Sequence, residues 1–312
     1  MNSKDYQAIF SSFSNKKIFY NYPLKDFSSF HSGGAADVLL LPSNIEEIKA
    51  AMSLCKQNEI PVQVLGKGSN VLISDKGIRG LTIYLHSNFD QIQIKYNLIY
   101  ANVGTSLAQL AALAASNNLS GLEFAAGIPG SLGGAILMNA SAYDGEIKNV
   151  VENSSYLNEE NEIKELNKED HQFDYRHSFY SDKPYIILRA ELKLQKGKRL
   201  EIYEKMNEFQ IKRRQSQPLD KYSGGSAFKR PTGYFAGKLI SDAGLKGYST
   251  QNAGVSAKHA GFVVNYGEAT ASEINSVFRH VKEEVKKQFG IDLHPEVKWL
   301  GEWDAEEIAW KL

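Results

Sequence analysis

The chain has 312 residues, 42% of them hydrophobic, with 36 Lys+Arg balanced by 36 Asp+Glu. At about 100–200 residues per domain it spans two or three domains, and its zero formal charge supplies no global attraction for nucleic acid or an anionic membrane. The lone Cys55 excludes an intrachain disulfide framework and any multi-cysteine zinc or iron–sulfur site.

Met1-Asn2-Ser3-Lys4-Asp5-Tyr6 lacks the apolar core of a signal peptide. No later run approaches the roughly 20 apolar residues of a spanning helix. The expectation is a soluble monomer in the reducing cytoplasm, with no membrane and no nucleic-acid partner. Residues 1–30 form a lead-in with a short helix. Ala36–Leu41 (ADVLLL) has the apolar run of a buried strand. Ser43 and Glu46 then fit a capping box, with Ile45, Ile48, Met52 and Cys55 following at helical spacing. With the next strand, Val62–Leu65, this predicts a β-α-β unit in which Cys55 is a core residue.

Strands are expected at Val71–Ile73, Leu81–Leu85, Ile92–Lys95 and Ile99–Asn102. Thr105–Asn118 is an alanine-rich helix with Leu107, Leu110 and Leu113 on one side. A hairpin is expected from Val150 to Lys168, a half-buried strand at Tyr185–Leu194, and a charged helix from Lys196 to Gln217, stopped by Pro218. A second α+β unit follows: a helix at Phe235–Ala243, a strand at Gly261–Asn265, a long helix capped by Thr270 and Glu273 and ended by Gly290, and a strand at Glu296–Leu300.

Two glycine clusters interrupt this pattern. Gly66-Lys67-Gly68-Ser69-Asn70 sits between two strands, where glycine lets backbone N–H groups converge on an anion; a tight turn is the plain alternative. It is not the dinucleotide fingerprint, because Val71 holds the sixth position and a strand follows. Gly127-Ile128-Pro129-Gly130-Ser131-Leu132-Gly133-Gly134 implies close backbone approach to a diphosphate or a flat ring. Two such loops together favour a dinucleotide. Gly233–Leu239 has too few spacer residues, and no Ser or Thr after its lysine, for a P-loop. The seven histidines show no ligand spacing, so no metal is expected.

With Leu65–Asn70 and Gly127–Gly134, three further segments occur in order: Tyr175-Arg176-His177-Ser178, Gly225-Ser226-Ala227-Phe228-Lys229 and His294-Pro295-Glu296-Val297. Together the five resemble the UDP-N-acetylenolpyruvoylglucosamine reductases of bacterial peptidoglycan synthesis, in their shorter subclass. The resemblance implies an α+β chain. A two-subdomain FAD-binding fold of the vanillyl-alcohol-oxidase/p-cresol-methylhydroxylase type (31–87 and 88–197) would precede a substrate-binding domain (198–303) and a tail (304–312). It implies non-covalent FAD held by Leu65, Gly66, Lys67, Gly68, Ser69, Asn70 and Val71, by Gly127, Pro129, Gly130, Ser131, Gly133, Gly134 and Ala135, and by Ile187. NADPH and the enolpyruvyl ether of a UDP-sugar are the implied small-molecule partners.

The same resemblance assigns Ser226 as the acid that protonates C2 of the substrate and places Arg176 and Glu296 in the site. Arg176 is the natural partner of the substrate carboxylate, since its planar fork binds carboxylates bidentately. Glu296, near that carboxylate, is expected to be protonated by burial and like charge, and to donate to the growing enolate. Tyr175, Lys229, Arg230, Lys258 and His259 would bind substrate. Arg230 departs from the asparagine of the longer form. Taken singly, each has an ordinary reading: Arg176 a solvated charge, Ser226 a turn serine, Glu296 an exposed strand end. A flavin-dependent oxidase and a non-catalytic sugar-nucleotide binder are the rival readings.

Overall fold

In the computed structural model, residues 3–14 and 16–311 are described; Met1 and Asn2 of the lead-in and Leu312 of the tail lie outside them. The first sheet has strand order Ile18–Pro23, Ala35–Leu40, Ile78–Tyr84, Val62–Leu65. Ala35–Leu40 and Val62–Leu65 both run parallel to Ile78–Tyr84, which lies between them. The β-α-β unit therefore exists, with a later strand inserted into its crossover. Its helix, Ile45–Gln57, starts one residue later than the expected cap: Asn44 accepts from the Glu47 amide, and Glu47 reaches back to the Ser43 amide at 2.8 Å. An asparagine caps as well as a serine, and Asn44 has the extended backbone a cap needs. Cys55 is buried on this helix, and burial pushes its thiol up to about 12.

The second sheet is antiparallel throughout, ordered Ile163–Asn167, Val151–Leu157, Ile186–Lys193, Leu98–Asn102, Ile92–Lys95. Helix Leu107–Ser116 packs against it through Leu107, Leu110, Ala111, Ala114 and Ala115. The alanines take the place the pattern gave to Leu113, because small residues let the helix approach closely. Side chains from both sheets share one hydrophobic core. The second glycine cluster contains a short helix, Leu132–Leu137, which the sequence pattern did not announce.

A third sheet, Tyr222–Ser226, Phe262–Asn265, Ala253–Val255, packs under helix Ala271–Phe289 in a separate core. That helix carries the expected capping box of Thr270 and Glu273, and Gly290 ends it in the left-handed conformation at φ 70°. Four hydrogen bonds tie this unit to segments that flank the first sheet's strands. The Asp75 carboxylate accepts from the Ala271 and Ser272 amides, at 2.8 and 2.9 Å. Ser29 Oγ donates to the Ser223 carbonyl, and Asn265 Nδ2 to that of Phe30. The last strand, Lys298–Leu300, pairs in parallel with Val71–Ile73 rather than with the third sheet. That pairing sets Glu296 beside the first glycine loop.

Candidate active site

The strand Val62–Leu65 delivers the chain into Gly66–Asn70, and the turn is pressed against the lead-in. Gly68 has φ +67°, its carbonyl accepts from the Ser29 amide at 3.0 Å, and a Cβ there would lie 1.8 Å from the Phe27 carbonyl oxygen. Only glycine fits. The second loop is held by the start of helix Leu107–Ser116: the Leu107 amide donates to the Gly130 carbonyl at 3.0 Å, and Leu132 N to Thr105 O at 2.8 Å. The two loops touch, since a Cβ on Gly66 would come within 2.5 Å of Ser131 Oγ.

Between them opens a cleft of about 510 Å³. Leu65, Gly66, Lys67, Gly68, Ser69, Asn70 and Val71 line it on one side, and Pro129, Gly130, Ser131, Gly134 and Ala135 on the other. Three expected cofactor residues lie outside this lining. Gly133 packs against Val103, Gly127 backs onto the Arg213 side chain, and Ile187 is buried in the shared core opposite Tyr156. Conversely, Arg213 and Tyr143 line the cleft without having been expected there. Tyr143 stacks on Phe209 with ring centroids 4.5 Å apart, and Arg213 Nε is buried without a hydrogen-bond partner. An unpartnered guanidinium nitrogen beside Gly127, on a residue that lines the cleft between two glycine loops, suits an anionic dinucleotide such as FAD. The only sequence sign of Arg213 was the basic end of the helix before Pro218.

Arg176, Ser226 and Glu296 line this cleft and also a second pocket of about 440 Å³, and so stand where the two meet. Arg176 sits in a tight turn at φ 53°, a left-handed conformation that costs a non-glycine residue energy and persists only where neighbours impose it. Here the Asp174 and His177 backbones bond each other, and Asn139 Nδ2 donates to the Asp174 carbonyl at 3.1 Å. The guanidinium spends Nε on Glu296 Oε1 at 2.6 Å and Nη1 on Ser141 Oγ at 2.9 Å. The expected bidentate fork is thus partly engaged, by Glu296 and Ser141.

Glu296 is fixed by its backbone. Its amide donates to the Ala227 carbonyl at 2.9 Å, and Asn70 Nδ2 donates to its carbonyl at 3.1 Å. A glycine-loop side chain thereby locates the carboxyl. Burial raises the Glu296 carboxyl above its ordinary range, and the opposing pull of Arg176 and Lys229 does not reverse this. Ser226 ends its strand exposed to solvent, paired with Phe262, after Gly225 at φ +81°.

Tyr175, Arg230, Lys258 and His259 line the second pocket, together with Lys238 and Lys246. The Tyr175 hydroxyl accepts from the Arg230 amide at 3.0 Å, and the Arg230 guanidinium lies 3.9 Å from the Phe235 ring centre. Lys258 Nζ donates to the Arg214 carbonyl at 2.5 Å, and burial lowers the pKa of His259, favouring the neutral ring. Lys229 lies outside this lining and faces a neighbouring hollow. Among the described residues no group of His, Cys, Asp or Glu is placed to hold a metal, and no helix is long and apolar enough to cross a membrane.

Residues 36–167 match the model of an FAD binding domain, and residues 217–300 that of the C-terminal domain of UDP-N-acetylenolpyruvoylglucosamine reductase. The UDP-N-acetylenolpyruvoylglucosamine reductase of Caldanaerobacter subterraneus subsp. tengcongensis is 46% identical over 92% of this chain and 94% of its own length. The chain belongs to this reductase family. The Clostridium beijerinckii reductase is 44% identical over 96% of this chain and 98% of its own length. The crystal structure of the Thermus caldophilus reductase superimposes with a TM-score of 0.78 at 33% identity, over 91% of this chain and 98% of its own. As a family member this protein is an FAD-dependent oxidoreductase acting in peptidoglycan precursor synthesis.

Proposed function

We propose that the protein uses NADPH to convert UDP-N-acetylglucosamine enolpyruvate to UDP-N-acetylmuramate, as a cytoplasmic monomer, with Arg176, Ser226 and Glu296 as its catalytic residues. One observation carries the assignment of roles: these three side chains, from separate stretches of chain, line both the cofactor cleft and the cationic second pocket. Held between Leu65–Val71 and Pro129–Ala135, FAD would supply the hydride chemistry that links the nicotinamide to C3 of the enolpyruvyl group.

The chain's own work is to make that vinyl ether an acceptor. Hydride arriving at C3 sends an electron pair toward C2 and the attached carboxylate, so the barrier falls with stabilisation of the resulting enolate. Arg176 supplies a permanent cation in a poorly hydrated corner, where such a charge is worth most. Burial raises the pKa of Glu296, and in its protonated form it donates a hydrogen bond to the same oxygens instead of repelling them. The Ser226 hydroxyl gives its proton to C2, and its exposure lets water replace that proton. Arg230, Lys238, Lys246 and Lys258 face the substrate diphosphate. Lys229 acts from the adjoining hollow.

Purified protein should carry a flavin absorbance that NADPH bleaches and the enolpyruvyl substrate restores. An intact flavin that NADPH reduces but this substrate does not reoxidise would overturn the assignment.

A further inference from the structure

One short stretch of chain grips Arg176 at its backbone and at its head group. Strands Ser141–Ala142 and Gly145–Glu146 pair antiparallel as a hairpin. Tyr143 and Asp144 at its turn both take the left-handed conformation, φ 49° and 64°, that a tight two-residue hairpin turn requires. The hairpin is braced from behind. A Cβ on Gly145 would lie 2.5 Å from the Phe124 ring, and the Ile147 amide donates to the Ala140 carbonyl at 3.0 Å. Buried Asn139 leads into it, accepting from the Lys148 amide and holding the turn before Arg176 through the Asp174 carbonyl, each at 3.1 Å. Ser141 takes the head group, its Oγ accepting from Arg176 Nη1 at 2.9 Å.

A guanidinium bonded through Nε alone can still tilt about that bond. Its atoms are rigidly coplanar, so a second bond, from Nη1 to a different element, fixes the plane. The Tyr175 ring, 5.0 Å from Arg176 Cζ, is itself exposed and sets no such direction. Of the five N–H bonds of an arginine, the two made to Glu296 and Ser141 leave three for a substrate carboxylate. A hydroxyl also orients the cation without neutralising it, whereas a carboxylate in its place would compete with the substrate. The acid opposite Ser141 in the hairpin, Glu146, is taken by Lys148 at 2.8 Å and Asn139 at 3.1 Å. We propose that Ser141 is a positioning residue of the reaction, fixing the plane of Arg176 for the enolate that hydride arrival creates. The inference rests on the catalytic role given to Arg176 above and adds to it the group that aims it.

The test follows the two half-reactions of the FAD-loaded protein by stopped-flow absorbance in Ser141→Ala, Ser141→Gly, Arg176→Ala and the double variant Ser141→Ala/Arg176→Ala. Both serine variants are smaller than the native residue, so neither introduces a clash. They keep their FAD content, their melting temperature and the rate at which NADPH reduces the flavin. Reoxidation by UDP-N-acetylglucosamine enolpyruvate slows about tenfold at saturating substrate, the scale of one hydrogen bond to a charged group. The half-saturating concentration changes little, because a tilted guanidinium still meets the ground-state carboxylate, and it is the transition state that needs the preset direction. In the double variant the serine change adds nothing to Arg176→Ala, since no guanidinium is left to aim. A further tenfold loss there overturns the proposal. So does a normal limiting rate in both serine variants, or lost flavin and slowed NADPH reduction, which assign the hydroxyl to the cofactor instead. Normal reoxidation in Arg176→Ala overturns the catalytic reading of that arginine itself, and this inference with it.

Discussion

The cofactor cleft is bordered by two short glycine-containing loops, Leu65–Val71 and Pro129–Ser131, while the corner where Arg176, Ser226 and Glu296 meet is formed by side chains from separate stretches of chain. The cleft gains its grip from what is missing: Cβ atoms at Gly66 and Gly68. The corner gains its chemistry from what is present, and its key pair, Arg176 and Glu296, is separated by 120 residues of chain. The two are joined by Asn70, which belongs to the first loop and holds the Glu296 backbone. A cofactor site can thus be local in sequence while the catalytic site it serves is assembled across the whole fold.

The sharpest way to separate the two regions is Ser226→Ala. The expected outcome is normal reduction of bound flavin by NADPH, with reoxidation by the enolpyruvyl substrate slowed by roughly 10²–10⁴-fold, the range for losing a general acid. Stopped-flow absorbance reads both half-reactions. Normal rates in both would remove Ser226 from the chemistry. The converse break is Gly68→Ala, which forces a left-handed alanine, at about 1–2 kcal/mol, and drives its methyl into the Phe27 carbonyl. This variant should lose most of its FAD and several degrees of melting temperature, both measurable on the purified protein. Full cofactor content would mean that the loop tolerates displacement from the lead-in.

Glu296→Gln tests the electrostatic half of the corner. Burial holds the Glu296 proton at pH values where an unfolded glutamate has lost it. The stability this contributes is present below the ordinary carboxylate pKa and declines as pH rises through the raised one. Flavin reoxidation, which uses the protonated form, should decline in the wild type as pH rises through that raised pKa. Glutamine keeps a donor that does not titrate, so the variant should lose that limb of the pH profile, with a rate about tenfold lower near neutrality. A limb that survives the substitution would belong to another group.

How legible was this in the sequence? Strands Val71–Ile73 and Ile92–Lys95 and the long helix Ala271–Phe289 with its Thr270–Glu273 cap lie where periodicity and capping chemistry put them. Those signals are short-range. The insertion of Ile78–Tyr84 into the first crossover, and the return of Lys298–Leu300 to Val71–Ile73, are long-range pairings that no local pattern encodes. The glycine loops showed themselves by composition. Arg213 did not, because an arginine in the last turn of a charged helix reads as solvated until the fold buries its Nε at the cleft. Nor could spacing reveal that Arg176 would already be engaged by Glu296 and Ser141.

The smallest expected effect bears on which glycines of the second loop touch the cofactor at all. Gly127 does not line the cleft, and a Cβ added there would meet the Arg213 side chain, 2.9 Å from Nε and 3.2 Å from Cδ. Unlike the Phe27 carbonyl facing Gly68, that obstacle is the far end of a flexible side chain and can swing aside. Gly127→Ala should therefore cost less than about 1 kcal/mol of stability, the ordinary scale for a tolerated substitution. Any cost in cofactor retention should come through displaced Arg213, and so be reproduced by Arg213→Ala and be absent when Gly127→Ala is added to that variant. Melting curves and FAD titration of the two single variants and the double variant decide it. If Gly127→Ala loses FAD on its own and still does so without Arg213, its backbone touches the cofactor directly, and the cleft extends further along the loop than its lining shows.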